Sequence, residues 1–182
     1  MITIPMKEAK SISIGAPPSN VVPRSTILQK GQRQILNTNE LQLCFASDNL
    51  DISLFLIDGS GKVINDDWFL YYYQKSSLDH SVYYYKDNII NANLKTLNSC
   101  VQKIIITLTS DDKSIPNTAL TVTDLSHSKE LFSMSIESNQ SQSMIACEIY
   151  RKNKEWRFFA ANQCSTETLY DFCMRFGVQV ND

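Results

Sequence analysis

Glycine and histidine are scarce in this sequence, and the usual catalytic motifs are missing. Its 182 residues include only five glycines and two histidines. No G-x-S-x-G, H-E-x-x-H or glycine-rich phosphate loop occurs. Because these patterns place nucleophiles, zinc ligands or nucleotide phosphates, their absence argues against the corresponding enzyme classes. Both histidines, His80 and His127, lie in turn-like sequence. We therefore predict a protein that is not an enzyme and has no catalytic residues.

A surplus of positive charge is also missing. The net charge is −2 and the isoelectric point is near 5.7, whereas nucleic-acid-binding surfaces carry a basic excess. No apolar stretch reaches the roughly 18–20 residues of a membrane span. Residues 1–8 lack the apolar centre of a signal peptide, since Glu8 interrupts them early. We therefore predict a cytoplasmic protein that has no transmembrane segment and binds no nucleic acid.

The cysteines lack the spacing of a disulfide frame or a zinc site. There are five, an odd number, and they are widely separated with no C-x-x-C pair. Disulfide scaffolds and zinc sites show paired, closely spaced cysteines. We expect reduced and mostly buried thiols, with Cys44 and Cys147 acting as small hydrophobic residues inside strands.

From residue 27 onward, apolar residues recur mostly with a period of two, which predicts β-strands. Residues 52–57 are apolar on both faces, which is typical of a strand covered on both sides. The predicted strands are residues 41–45, 52–57, 68–73, 81–85, 89–94, 101–109, 119–123, 131–135, 144–150 and 156–161. Short, evenly spaced strands indicate a sandwich or barrel. We predict an all-β fold, a two-sheet β-sandwich with one C-terminal α-helix.

The helix is predicted from one apolar stripe near the C-terminus. Its members, spaced at i, i+3, i+4 and i+7, are Leu169, Phe172, Cys173 and Phe176. Ser165 or Thr166 would cap its start, Glu167 would favour the N-terminal dipole, and Gly177 would end it.

A hairpin and a candidate ion pair are predicted in the C-terminal part of the sequence. A tight turn is predicted at residues 152–154, and strands pairing across it would bring Glu148 near Arg157 in a structural ion pair.

Residues 1–26 are predicted to form an N-terminal tail or edge segment, because prolines punctuate them. Ile12 and Ile14 alternate with serines, so a short edge strand or a partner-binding role stays open. Residues 27–182 are predicted to form one domain.

Two stretches carry a resemblance to a known family. One is residues 49–58, NLDISLFLID, continuing to Gly61-Lys62-Val63; the other is residues 148–151, EIYR, followed by residues 155–158, EWRF. Further matches are Lys30-Gly31, residues 69–74, 160–163 and Gly177-Val178, and the C-terminal block is the most specific part. From about residue 27 to 180 the chain resembles the TerD family, the tellurium-resistance and general-stress proteins of bacteria. The resemblance implies a β-sandwich that acts in tellurite, chemical or phage resistance by binding other proteins of a stress-resistance system.

Many TerD-family members hold calcium with loop carboxylates, and here the corresponding loops are shortened. Ala46-Ser47-Asp48 leads directly into Asn49-Leu50-Asp51, and Lys86-Asp87-Asn88 is all that replaces two acidic stretches. The remaining candidate ligands are Asp48, Asp51 and Asp87 with the amides of Asn49 and Asn88. Since calcium takes six to eight oxygen ligands, we predict no cofactor or only weak calcium at a vestigial site. A calcium-regulated binder completed by backbone carbonyls remains the alternative.

Other polar and aromatic clusters leave alternatives open. The tyrosines at 71–73 and 83–85 are typical of strands that point half of each run into a core, or of a stacking platform. Asp66, Asp67 and Asp79 are interpreted as turn residues. A pocket that gathers Asp51, Asp87 and a histidine with a shifted pKa would favour an enzyme of unrecognised type. The sequence indicates neither an oligomeric state nor a particular partner.

Overall fold

Two β-sheets and a helix make up residues 25–111 and 113–180, the part of the chain that the computed structural model describes. In chain order the strands are β1 (Thr26–Leu28), β2 (Arg33–Ile35), β3 (Glu40–Phe45), β4 (Asp51–Ile57), β5 (Phe69–Leu70), β6 (Val82–Lys86), β7 (Ile89–Asn93), β8 (Lys103–Thr109), β9 (Thr118–Asp124), β10 (Lys129–Ile136), β11 (Ser143–Lys152), β12 (Glu155–Phe159) and β13 (Gln163–Ser165), followed by helix α1 (Leu169–Phe176). The edge strand considered at Ile12 and Ile14 lies outside the described residues.

The strands form the predicted two-sheet sandwich. Sheet A has the order β1-β10-β9-β3-β7-β6, and sheet B has the order β2-β12-β11-β8-β4-β5, with β13 also pairing with β11. The alternating apolar residues of β3, Leu41, Leu43 and Phe45, are fully buried between the sheets. The predicted all-β class is therefore confirmed, and each sheet contributes one face to a shared core.

The predicted strand at residues 68–73 is mostly wrong. Asp66–Trp68 forms a 3-10 turn capped by the Asn65 side chain, and only Phe69–Leu70 pairs with β4. The Tyr71 amide then donates to the carbonyl of Gln74, so the chain turns back instead of extending. Strand propensity of consecutive tyrosines was overridden by this local turn.

Strand β4 is covered on both sides, as its sequence predicts. Leu54 and Leu56 face the core between the sheets, while Phe55 faces the helix and is also fully buried. The ring centroid of Phe55 lies 4.7 Å from that of Phe69 and 4.7 Å from that of Phe176. Aromatic pairs at this separation add stabilisation beyond simple burial, so Phe55 joins sheet B to helix α1.

Helix α1 begins later than the sequence predicts. Its N-cap is Thr168, whose hydroxyl accepts from the Asp171 amide while the Asp171 carboxylate accepts from the Thr168 amide. Ser165 and Thr166 are not the cap, because Ser165 ends β13 and its hydroxyl accepts from the Glu167 amide, which lies before the first helical residue, Leu169. Gly177 ends the helix as predicted, with a left-handed φ of 80° that suits glycine. No helix in the described part of the chain is long and apolar enough to cross a membrane.

The turn between β11 and β12 is confirmed, but the ion pair expected beside it is wrong. Asn153 and Lys154 both have positive φ, 52° and 65°, which is the pattern of a two-residue hairpin turn. Glu148 lies opposite Phe159 rather than beside Arg157. It instead accepts from the Lys103 ammonium at 2.8 Å, across the pairing of β11 with β8.

All five cysteines are free. Cys147 and Cys173 are buried, Cys44 and Cys164 are half-buried, and Cys100 is exposed. Burial raises the pKa of Cys173 to about 11, so this thiol stays protonated and packs as an apolar group.

Asp79 ties two surface turns together, which fits its predicted place in a turn. Its carboxylate accepts from the hydroxyls of Ser77 and Ser81 and from the amides of Ser81 and Asn98. Burial by itself raises the pKa of Asp79, but the hydrogen bonds from Ser81, Ser77 and Asn98 outweigh it and hold the pKa below its ordinary value. The ionised carboxylate is therefore the form that stabilises these turns.

We predict that Asp79→Asn destabilises the protein at neutral pH but not in acid. Because the folded-state pKa is depressed, the contribution of Asp79 is complete above about pH 4, the unfolded-state pKa, and is lost as pH falls further. After allowance for solvent screening we expect a loss of about 1 kcal/mol at pH 7. Urea unfolding of wild type and variant between pH 7 and pH 3 measures this, and a constant difference over that range would contradict it.

Candidate functional site

A cleft of about 760 Å³ opens where the chain crosses from sheet A to sheet B. The β3–β4 connection and the β6–β7 turn meet there, because Phe45 donates its amide to the carbonyl of Asn88. Asp51 at the start of β4 pairs with Thr109 at the end of β8, which brings the loop after β8 to the same end. The cleft is lined by Asp48, Asn49, Leu50, Asp51, Ile52, Ser53, Tyr72, Lys75, Tyr84, Asp87, Thr109, Asp111 and Leu169.

The structure therefore places four of the five predicted metal ligands around one cleft. Asp48, Asn49, Asp51 and Asp87 line it. The fifth, Asn88, does not line it, and its amide nitrogen donates to the carbonyl of Phe45 at 2.8 Å and to the Asp48 carboxylate at 2.9 Å. In this arrangement the Asn88 side chain supplies a hydrogen-bond donor to Asp48.

Lys75 also lines the cleft. Its ammonium lies 2.7 Å from the Asp87 carboxylate, and both side chains are more than half exposed. The backbone of the same residue pairs with β6, since the Tyr84 amide donates to the Lys75 carbonyl. The fold of the chain thus delivers one positive charge to this group of carboxylates.

The carboxylates share the cleft without converging on a point. Among residues 25–111 and 113–180, no three His, Cys, Asp or Glu side chains are grouped so that they could hold a metal ion. Calcium requires six to eight oxygens at 2.3–2.6 Å, several of them carboxylates. The described geometry does not bring three carboxylates together at one point.

Asp111 and Lys75 are the charged cleft residues that were not predicted from the sequence, which indicated Tyr72 only as part of an aromatic run. Asp111 follows β8, and since β8 runs antiparallel to β4, a carboxylate after one strand and a carboxylate at the start of its neighbour share an end of the sheet. If β8 and β4 are assumed to pair, the sequence alone places Asp111 at the same end of the sheet as Asp51. No local pattern identifies Lys75 or Tyr72, because their place depends on the turn after β5.

The tyrosines divide between core and surface. Tyr84 packs against the core, and its hydroxyl donates to the carbonyl of Ile52 at 2.7 Å; burial raises its pKa. Tyr71 also packs against the core, with its ring centroid 5.0 Å from that of Phe69. Tyr72 and Tyr73 are 64% and 77% exposed, and their ring centroids are 4.0 Å apart. One tyrosine of each run, Tyr71 and Tyr84, thus matches the core interpretation, while the exposed Tyr72 lines the cleft.

Neither histidine lines the cleft. The His80 ring lies 3.0 Å from the Ser76 hydroxyl, and the His127 ring lies 2.8 Å from the Asp124 carboxylate. Burial raises the pKa of Asp124, but hydrogen bonds from His127 and Thr38 outweigh it and lower that pKa. The described residues therefore do not assemble the pocket of Asp51, Asp87 and a histidine that would favour an enzymatic interpretation.

Comparison with known proteins supports the resemblance noted in the sequence. The chain is 26% identical over 153 residues to the tellurium resistance protein TerD of Serratia marcescens, covering 73% of this chain and 80% of that protein. It is 26% identical over 152 residues to general stress protein 16U of Bacillus subtilis (strain 168), covering 72% and 79%.

The fold and the family model agree with these relatives. The crystal structure of a TerD homologue from Streptomyces coelicolor A3(2) superposes with a TM-score of 0.58 at 14% identity, covering 75% of this chain and 95% of that one. At that identity the likeness shows the fold alone. A family model described as the TerD domain matches residues 26–176, well over half of the sequence. The chain therefore belongs to the TerD family.

Proposed function

We propose that this chain is a non-enzymatic stress-response protein of a bacterial cytoplasm, working as an interaction module in resistance to tellurite, chemical or phage stress. Its family and the printed names of its relatives, a tellurium resistance protein and a general stress protein, support the setting. On this proposal its partners are other proteins of the stress-resistance system, and calcium binding is lost or very weak.

The observation that carries the proposal is that the chain's own groups already bind two of the three candidate carboxylates. Lys75 donates to Asp87, and the Asn88 amide donates to Asp48. A calcium ion at this place would have to displace the ammonium or lie beside it, and either arrangement costs electrostatic energy. Asp51 has no ion-pair partner among the described residues, and a calcium site needs several carboxylates that converge.

The Lys75–Asp87 pair is not by itself a strong lock. Both side chains are well exposed, and surface ion pairs contribute only about 0–1 kcal/mol. The main obstacle to calcium is therefore the small number of converging oxygens, and Lys75 adds to it. Removing the Lys75 ammonium would therefore leave the main obstacle to calcium in place.

A second candidate function is a calcium-regulated binder. One observation favours it: Asp48, Asp51, Asp87 and Asp111 all line the same cleft. Small movements of the loops at residues 46–50 and 87–88 would be needed to bring these oxygens together, and backbone carbonyls would have to complete the shell.

We expect no thermal stabilisation of the chelator-treated full chain by millimolar calcium. A ligand that binds the folded state stabilises it by RT ln(1 + [L]/Kd), so a site with micromolar affinity would raise the unfolding temperature clearly at that concentration. Magnesium is the control cation, and calorimetric titration gives the binding heat directly. Micromolar calcium binding that disappears in Asp51→Ala would overturn the proposal in favour of the second candidate.

Lys75→Met separates the two obstacles to calcium. If the ammonium alone blocked the ion, this variant would bind calcium at micromolar concentration while the wild type did not. Because the oxygens do not converge, we expect calcium affinity to stay in the millimolar range or weaker even without the ammonium.

A further inference from the structure

The cleft continues into a second depression, so that the two form one groove along the end of the sandwich. The second depression has a volume of about 450 Å³ and shares Thr109, Asp111 and Leu169 with the first. It extends from these residues to Ser165 and Glu167, just before helix α1. The groove is therefore elongated, a shape that suits a stretch of chain better than a single ion.

The walls of the groove present apolar and aromatic groups. Leu50 and Leu169 are partly buried hydrophobic residues packed against the core, and both line the first cavity. Tyr72 lines the first cavity with 64% of its surface exposed, beside the more exposed ring of Tyr73. Exposed tyrosines in a concave surface are typical of residues that anchor a protein partner, because a rigid ring buries a large area at small entropy cost.

The negative charge of the groove favours a partner that carries positive charge. In the first cavity the four carboxylates of Asp48, Asp51, Asp87 and Asp111 face one ammonium, that of Lys75. The second cavity adds Glu167, which is paired with Arg175, and Lys113. The negative excess lies beside apolar walls, so a matching surface must combine positive charge with apolar side chains.

We infer that this groove binds an extended segment of a partner protein in which arginine or lysine alternates with apolar residues. The inference rests on the proposed function and names the chemistry of the partner. Arginine fits best, since its guanidinium pairs with a carboxylate while stacking on a tyrosine ring. Alternation follows from extended geometry, because successive side chains point to opposite sides and every second one faces the same wall.

The test is the binding of a short fluorescein-labelled peptide that alternates arginine with leucine, followed by fluorescence anisotropy at physiological salt. The full chain is the binding protein, and a peptide with glutamate in place of arginine is the ligand control. We expect saturable binding of the arginine peptide and none of the glutamate peptide. Asp51→Lys should weaken binding at least tenfold, and Tyr72→Ala should weaken it severalfold.

Glu130→Lys is the matched protein control, because Glu130 is exposed on β10 of sheet A and does not line the groove. It makes the same change in net charge as Asp51→Lys. Equal weakening by both variants would show that only overall charge is sensed and would overturn the inference. Absence of saturable binding, or binding unaffected by Asp51→Lys and Tyr72→Ala, would overturn it as well.

The calcium titration distinguishes a failure of this inference from a failure of the proposed function. A chain that is silent to calcium and fails to bind the arginine peptide contradicts the groove's assignment, and leaves the calcium-independent role standing. Micromolar calcium binding contradicts the proposed function, whatever the peptide does.

Discussion

Phe55→Ala is expected to lower the free energy of unfolding by about 3–5 kcal/mol, the usual cost of removing a buried phenyl ring. The side chain is fully buried, and its ring packs against those of Phe69, Phe172 and Phe176. Its loss removes the ring contacts of Phe55 with helix α1 and leaves a cavity between sheet B and the helix. Because small domains have only about 5–15 kcal/mol of net stability, the effect is a large share of the total.

Two measurements locate the effect of Phe55→Ala. Urea unfolding followed by circular dichroism gives the loss of stability, and amide hydrogen exchange shows whether α1 opens before the sheets do. Tyr170→Ala is the control, since Tyr170 lies on the exposed face of the same helix and its loss should change stability by less than about 0.5 kcal/mol. A Phe55→Ala variant that loses under 1 kcal/mol, well below the expected range, would contradict the packing described for α1.

The β-sandwich could be predicted from the sequence because the apolar pattern that indicates each strand lies within the strand itself. In β3 and β4 each apolar side chain faces a core, so alternation and two-sided burial could be inferred without knowing the partners. The end of α1 was equally local, since Gly177 adopts the left-handed conformation that glycine favours. The start of α1 was missed because β13 holds residues 163–165 extended through pairing with β11, a long-range contact that propensity does not reveal.

The candidate site was only partly accessible from the sequence, for a related reason. The resemblance drew attention to Asp48, Asp51 and Asp87, and the fold brings these three to one cleft. What they do there depends on neighbours that are distant in the chain. Lys75 reaches Asp87 because the segment after β5 turns back along β6, and the expected pair of Glu148 with Arg157 failed because β8 supplies Lys103 instead.

Asn162 joins the two sheets through hydrogen bonds of its side chain and its backbone, and it has a left-handed conformation. Its side-chain oxygen accepts from the Glu137 amide and its side-chain nitrogen donates to the Ser135 carbonyl, each at 3.1 Å. Its own amide donates to the carbonyl of Ala146 in sheet B at 2.9 Å. The residue is 7% exposed with a left-handed φ of 43°, a region that asparagine tolerates better than most residues.

We expect Asn162→Ala to cost about 2–4 kcal/mol in stability. About 1–2 kcal/mol comes from the strain of a left-handed alanine, and the rest comes from the two lost hydrogen bonds between the end of β10 and the segment after β12. Asn162→Gly is the matched variant, because glycine adopts this φ without strain but makes neither side-chain bond. It should therefore lose about 1–2 kcal/mol less than the alanine variant.

The comparison of these two variants in urea unfolding separates backbone conformation from hydrogen bonding at a single position. If alanine and glycine cost the same, the left-handed conformation contributes nothing, and the side-chain amide alone explains the effect. If glycine restores wild-type stability, the bonds to Ser135 and Glu137 are replaced by water, which the exposed surroundings of both residues would permit. Our expectation lies between these limits, since the amide bridges strands of different sheets and a solvent molecule holds that separation less firmly.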